Sequence, residues 1–228
     1  MFKSFFTICL LALSCFISFS QDKLTTQELN KLDKEIKQKY IYDNRKISRI
    51  DSLKKTAYSP IENTENRYNA LFNLGKEYET FISDSALYYF DQALLCAQST
   101  NDSIKITLPR LGKVKCYAIL GYFKEGCTEL ARIESNGIPD EVQLEWFDTN
   151  RQLYSYMATY AKDNKELFSY YLKLLNKFRD LQIQALNSDS HEYKLFLAEH
   201  YASENQTTKA KLLFSELIEE IPSNSNIY

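Results

Sequence analysis

Glycine and proline are scarce in this chain, five and four among 228 residues. Few tight turns and few helix breakers argue against a many-stranded sheet and for long helices. Histidine is scarcer still, with His191 and His200 alone. His191-Glu192-Tyr193-Lys194-Leu195 opens like the zinc-protease HExxH motif, but Leu195 stands where the second histidine is required. His200 lies too far along to share a helix face with His191 as an i, i+4 ligand pair. Both are expected as surface or groove histidines. No glycine-rich phosphate loop exists, and five scattered glycines could not assemble one. Serines, cysteines and aspartates are plentiful, yet no histidine stands in a context that suggests a triad. The carboxylates fall mostly on expected solvent faces, so no acid/base pair emerges. The residues thus supply no catalytic, cofactor-binding or metal-binding candidates. A protein that is not an enzyme and carries no cofactor is expected, with a periplasmic enzyme as the least favoured reading.

Charge of one sign is lacking too. The net charge is -2 and the two signs are interleaved, so nothing draws the chain to nucleic acid or anionic membranes. Of five cysteines, Cys9 and Cys15 fall in the first twenty residues, leaving Cys96, Cys116 and Cys127. An odd number without regular spacing is no disulfide framework, and without a CxxC it is no zinc pattern. Cys96 and Cys116 lie on apolar stripes and are expected to be buried small hydrophobes. Which pair, if any, oxidises outside the cytoplasm stays open.

The N-terminus does carry a signal. Lys3 precedes an apolar run from Phe5 to Phe16, and Ser18-Phe19-Ser20 places small residues at -3 and -1 before Gln21. That is the pattern of a cleaved secretory peptide, residues 1–20. The run is shorter than the ~20 residues of a membrane span. A lipoprotein reading would acylate Cys15 after Ala12-Leu13-Ser14, with Ala where Leu is preferred. No later segment approaches a span, so the cleaved chain is expected to carry none.

The rest is rich in tyrosine (17) and phenylalanine (14), which suit packing between helices with the hydroxyl reaching solvent. Residues 21–63 read as one amphipathic helix over 21–55 that packs on the rest, then a linker over 56–63 that contains Pro60. The helix stripes are Leu29, Leu32, Ile36 and then Ile47, Ile50, Leu53, broken at Asp43–Lys46. From Thr64 onward, long amphipathic segments alternate with short polar breaks. They give eight helices in four hairpins: Glu65–Phe81 with Asp84–Gln98, Ile104–Leu120 with Phe123–Ile133, Val142–Tyr160 with Leu167–Leu186, and Tyr193–Tyr201 with Thr207–Ile221. Helix pairs joined by short loops predict an all-α solenoid over residues 64–228.

The first pair resembles the tetratricopeptide repeat in Leu74-Gly75, Tyr78, Ala86, Phe90 and Ala93. The last does so in Ala210, Phe214, Leu217 and Pro222. Small residues let paired helices touch, and large ones fill the groove to the next pair. The second pair offers Gly126, Leu130 and Ile133, and the third departs, with Glu166 and Tyr170. The markers Ala86, Gly126, Glu166 and Ala210 are about 40 residues apart, longer than the usual ~34, so helices or loops are stretched. Leu32–Lys55 followed by Arg67–Leu94, behind a signal peptide, is similar to the start of a Gram-negative bacterial family of membrane-anchored regulators. That resemblance implies extracytoplasmic tetratricopeptide-like repeats, then a membrane span, a cytoplasmic coiled coil and a C-terminal domain of unknown function. This chain has neither span nor cytoplasmic part and stops at Tyr228 without a polar capping helix, so a truncated product is expected.

The function expected is therefore a protein- or peptide-interaction module, the extracytoplasmic sensor part of an envelope regulator. A free periplasmic scaffold or assembly factor is the alternative. Tyr88, Tyr89, Tyr154, Tyr156, Tyr160, Tyr170 and Tyr171 are candidates to line a peptide groove, against the plainer reading that they pack the core and the joints between repeats.

Overall fold

A computed structural model describes residues 25–60, 63–98 and 100–220. The leader and Pro222 lie outside the described residues. Two units are present, Met1–Ser52 and Leu53–Tyr228. Among the described residues every regular element is helical.

A helical stretch over residues 25–37 (α1) gives way at Gln38 to α2 (Lys39–Ala57), whose residues from Leu53 onward belong to the second unit. The break falls at Gln38, whose amide donates to the Lys34 and Glu35 carbonyls. Asp43–Lys46, expected to interrupt the seam, is continuous helix. The expected stripe Leu29, Leu32 and Ile36 is more than half exposed, as is Ile47, while Ile50 is buried. One apolar residue per turn makes too narrow a stripe to demand cover. Short-range pairs such as Lys31–Glu28 at 2.7 Å and Lys39–Asp43 at 3.1 Å line the surface instead.

The second unit contains four hairpins. They are α3 (Thr64–Glu79) with α4 (Ser83–Gln98), α5 (Ser103–Leu120) with α6 (Phe123–Asn136), α7 (Gln143–Tyr160) with α8 (Lys165–Ala185), and α9 (His191–Ser203) with α10 (Thr207–Glu220). A single 3-10 turn, Asp140–Val142, leads into α7. The polar breaks act as caps. Asn63, Asp102, Asn164 and Ser190 each accept a first-turn amide of the helix that follows. Asn101 adopts positive φ ahead of the Asp102 cap, and Gly121 does so at the end of α5. Pro109 sits fully buried within α5, which continues through it.

The joint between the first two hairpins turns on one ring. Ala86, Phe90 and Ala93 of α4 are fully buried. The Phe90 ring lies between Gly75 of α3 and Gly112 of α5, and a Cβ on either glycine would overlap it. Gly75 is the expected small residue of a repeat's first helix. Gly112 plays the same part in the next repeat. Helix α5 then joins the second and third hairpins, where Leu111, Val114, Ala118, Leu130, Ile133 and Leu153 form one buried cluster.

The third hairpin closes on aromatics. Phe178 of α8 meets Trp146 edge-on at 5.3 Å and stacks on Tyr154 at 5.8 Å. Glu166 and Tyr170, at the repeat's expected marker positions, are exposed, and the buried face of α8 runs through Phe178, Arg179 and Gln182. In the fourth hairpin Ala198, Ala210 and Leu217 are buried.

Candidate protein-binding surface

The charged side chains depart most from expectation. Lys115 of α5 is buried, and its ammonium contacts Glu145 at 2.8 Å and Asp148 at 3.0 Å on α7. Asp148 also accepts from Arg151 at 2.9 Å and Gln152 at 2.6 Å. Arg151 reaches Glu199 on α9 at 3.6 Å and lies 4.8 Å over the Phe196 ring. The first helices of three successive hairpins are thus tied by one chain of charges. On α6, buried Glu129 is held by Arg110 at 2.6 Å and Arg132 at 2.9 Å. The expectation that carboxylates face solvent fails for Glu129 and Asp148, because each has a cation within hydrogen-bond reach to offset its desolvation.

These surroundings shift the proton affinities. Burial would raise the Asp148 carboxyl, but Lys115 and Arg151 outweigh it and hold it below its ordinary value. Burial likewise works against the Lys115 cation, and the charges of Glu145 and Asp148 raise it nonetheless. Glu79 at the end of α3 shows the reverse. Burial pushes its carboxyl up, and the attractions of Lys115 and Lys76 offset this only in part.

The seven candidate tyrosines do not converge. Tyr88 and Tyr89 belong to the first hairpin, where Tyr89 is buried and stacks on Tyr78 at 5.4 Å. Tyr154 is committed to Phe178. Tyr156, Tyr160 and Tyr170 are exposed. Tyr160 and Tyr171 do meet in one place, an apolar pocket of about 420 Å³ that they share with Phe123, Met157 and Leu167. It is built from the start of α6, the end of α7 and the start of α8. Phe123 meets Tyr160 edge-on at 5.1 Å, which holds one wall. Asn164 spends its side-chain oxygen on the Leu167 amide at 3.1 Å, fixing the turn beneath. Tyr160 and Leu167 remain 68% and 44% exposed, so the pocket opens to solvent along this wall. Phe123, Met157 and Leu167 were absent from the sequence candidates. Met157 and Leu167 flank the break at 161–164, and Phe123 opens the helix after the break at Gly121-Tyr122, which was the signal they carried.

His191 is exposed and 3.5 Å from Glu220, and His200 lies 3.2 Å from Asp180. His200 is half-buried. All three described cysteines are free. Cys116 is buried, and burial, with the nearby Glu79 charge, pushes its thiol up to about 12. Cys96 is only half-buried and Cys127 is exposed. No helix among the described residues is long and apolar enough to cross a membrane.

Paired antiparallel helices stacked through small-residue contacts define a helical repeat protein of the tetratricopeptide class. Such domains are typically non-catalytic scaffolds that bind protein partners. The chain belongs to the family described as the SusR N-terminal TPR domain, whose pattern matches residues 36–228. No curated protein matches it. Two solved structures of TPR-like repeats from a kinesin light chain of Podosopora anserina, one of them a single-substitution variant, are similar to it. Each is 14% identical and aligns over 81% of this chain and 91% of its own, with TM-scores of 0.47 and 0.46.

Proposed function

We propose that this chain is the extracytoplasmic, partner-sensing part of an envelope regulator and that it captures a protein or peptide in the pocket between α6, α7 and α8. In this reading residues 1–20 are a removed leader, residues 21–63 an entry segment, and residues 64–228 the recognition repeats. The family, described as an N-terminal domain, supports a role as one part of a larger regulator. The observation that carries the binding role is the partly exposed Tyr160–Leu167 wall, with Phe123, Met157 and Tyr171 behind it. A preformed apolar pocket with a phenol at its rim suits one large apolar side chain of a partner, and such anchors carry most of an interface's energy.

The test is selection of displayed peptides on the purified chain. The expected result is a set sharing one aromatic or large aliphatic anchor, lost when selection is repeated on Tyr160→Asp. Peptides without a shared anchor, or the same set recovered on the variant, would remove the pocket from the account.

A further inference from the structure

A second cavity, of about 330 Å³, opens in the first hairpin between the end of α2 and helices α3 and α4. Its chemistry differs from that of the Tyr160 pocket. Ala57 and Leu71 are buried and form its base, while Tyr58 and Leu95 stand exposed at 52% and 59%. Arg67 is the one charged side chain among its described lining residues. The Arg67 Nε donates to the Ala57 carbonyl at 2.9 Å. That bond fixes the plane of the guanidinium and leaves the two terminal nitrogens as a fork. Among the described residues no carboxylate pairs with this fork. A guanidinium held by its Nε is preorganised for a carboxylate, which it binds through two parallel hydrogen bonds.

We infer that this cavity binds the C-terminal residue of a peptide partner, taking its apolar side chain against Leu71, Tyr58 and Leu95 and its carboxylate on Arg67. The choice of a chain terminus follows from geometry. Successive side chains of an extended peptide point to opposite faces, so an internal apolar residue and an adjacent acidic one cannot both enter one small cavity. A terminal residue carries its side chain and its carboxylate on the same Cα. Gln92, also in the lining, adds an amide that can pair with the ligand's last N–H. The site shares no residue with the Tyr160 pocket, so either can fail alone.

The experiment is an NMR titration of the isotope-labelled full chain with three small probes. They are acetyl-Ala-Leu with a free carboxylate, the same dipeptide as its C-terminal amide, and acetyl-Asp-Leu amide. The free acid is expected to shift the Tyr58, Arg67 and Leu95 resonances with an affinity of about millimolar, as befits so small a ligand. The amide is expected to bind at least tenfold more weakly. Arg67→Gln should abolish the preference for the acid, Arg67→Lys should retain part of it, and Leu95→Glu should block binding with the spectrum otherwise unchanged. Equal binding of acid and amide, or an unchanged preference in Arg67→Gln, would overturn the assignment. So would binding of acetyl-Asp-Leu amide as tight as that of the acid, since the terminus would then not be what is read.

Discussion

Phe90 shows how much one side chain can decide. Its ring fills the space that two glycines leave open, Gly75 before it and Gly112 after it, so two repeats close on one residue. Phe90→Ala is expected to cost about 3–5 kcal/mol, as for other fully buried aromatics. Gly112→Ala should cost about 1–3 kcal/mol by overpacking. In a Phe90→Leu background the Gly112→Ala penalty should shrink, because the ring it strikes is gone, and a double-mutant cycle by denaturant unfolding measures that coupling. Additive costs would show that the two positions do not meet. Ala86→Glu and Ala210→Glu should each disrupt the fold by placing a charge where helices touch, and an unchanged melt would refute that register. Gly75, Ala86 and Phe90 were legible because a short, regular motif carries them. Gly112 was not singled out, although Leu111-Gly112-Lys113 repeats Leu74-Gly75-Lys76 and was the signal that could have found it.

At the scale of the helices, charge rather than apolar patterning was hard to read. Along the sequence Glu145, Asp148 and Arg151 look like an ordinary solvated face. Lys115, which draws two of them inward, lies thirty or more residues away. Glu129 was hidden in the same way, since its partner Arg110 belongs to the preceding helix. Helix starts were legible, because Asp102, Asn164 and Ser190 are side chains that cap. Removing Lys115 leaves half-buried Asp148 with Arg151 and Glu145 partly in solvent, so Lys115→Ala is expected to cost about 1–3 kcal/mol, whereas Lys115→Met together with Glu145→Gln and Asp148→Asn should cost less.

Glu79 and Asp148 also give the unfolding free energy opposite slopes with pH. The folded state raises the Glu79 carboxyl, so its contribution is full below the ordinary glutamate value and is lost as pH climbs to the raised one. The folded state lowers Asp148, so its contribution is present above the ordinary aspartate value and is lost as pH falls through the lowered one. Unfolding curves across pH should therefore lose the first slope in Glu79→Gln and the second in Asp148→Asn. Unaltered profiles would show that neither carboxyl is shifted.

For the whole molecule, the helix-pair rhythm of the sequence was enough for the fold class, since stacked hairpins need only period and break. The binding surface was less legible. Tyrosines chosen by type alone divide among a core residue, a stacking partner and open surface, and only their neighbours decide which. Export is a separate expectation. Expressed in a Gram-negative host with a C-terminal tag, the protein should appear outside the cytoplasm with Gln21 as its first residue. Cytoplasmic retention with Met1 intact would contradict the extracytoplasmic part of the proposal.

The measurement that bears most directly on the central claim is the affinity of one selected peptide for the wild-type chain, Tyr160→Ala and Leu167→Ala, with melting temperatures recorded in parallel. Tyr160 and Leu167 are partly exposed, so truncating them should leave the melts nearly unchanged. Binding should weaken at least tenfold for Tyr160→Ala, about 1.4 kcal/mol, and by a smaller factor for Leu167→Ala. Equal affinity for all three proteins would contradict the claim that this pocket is where the partner is held.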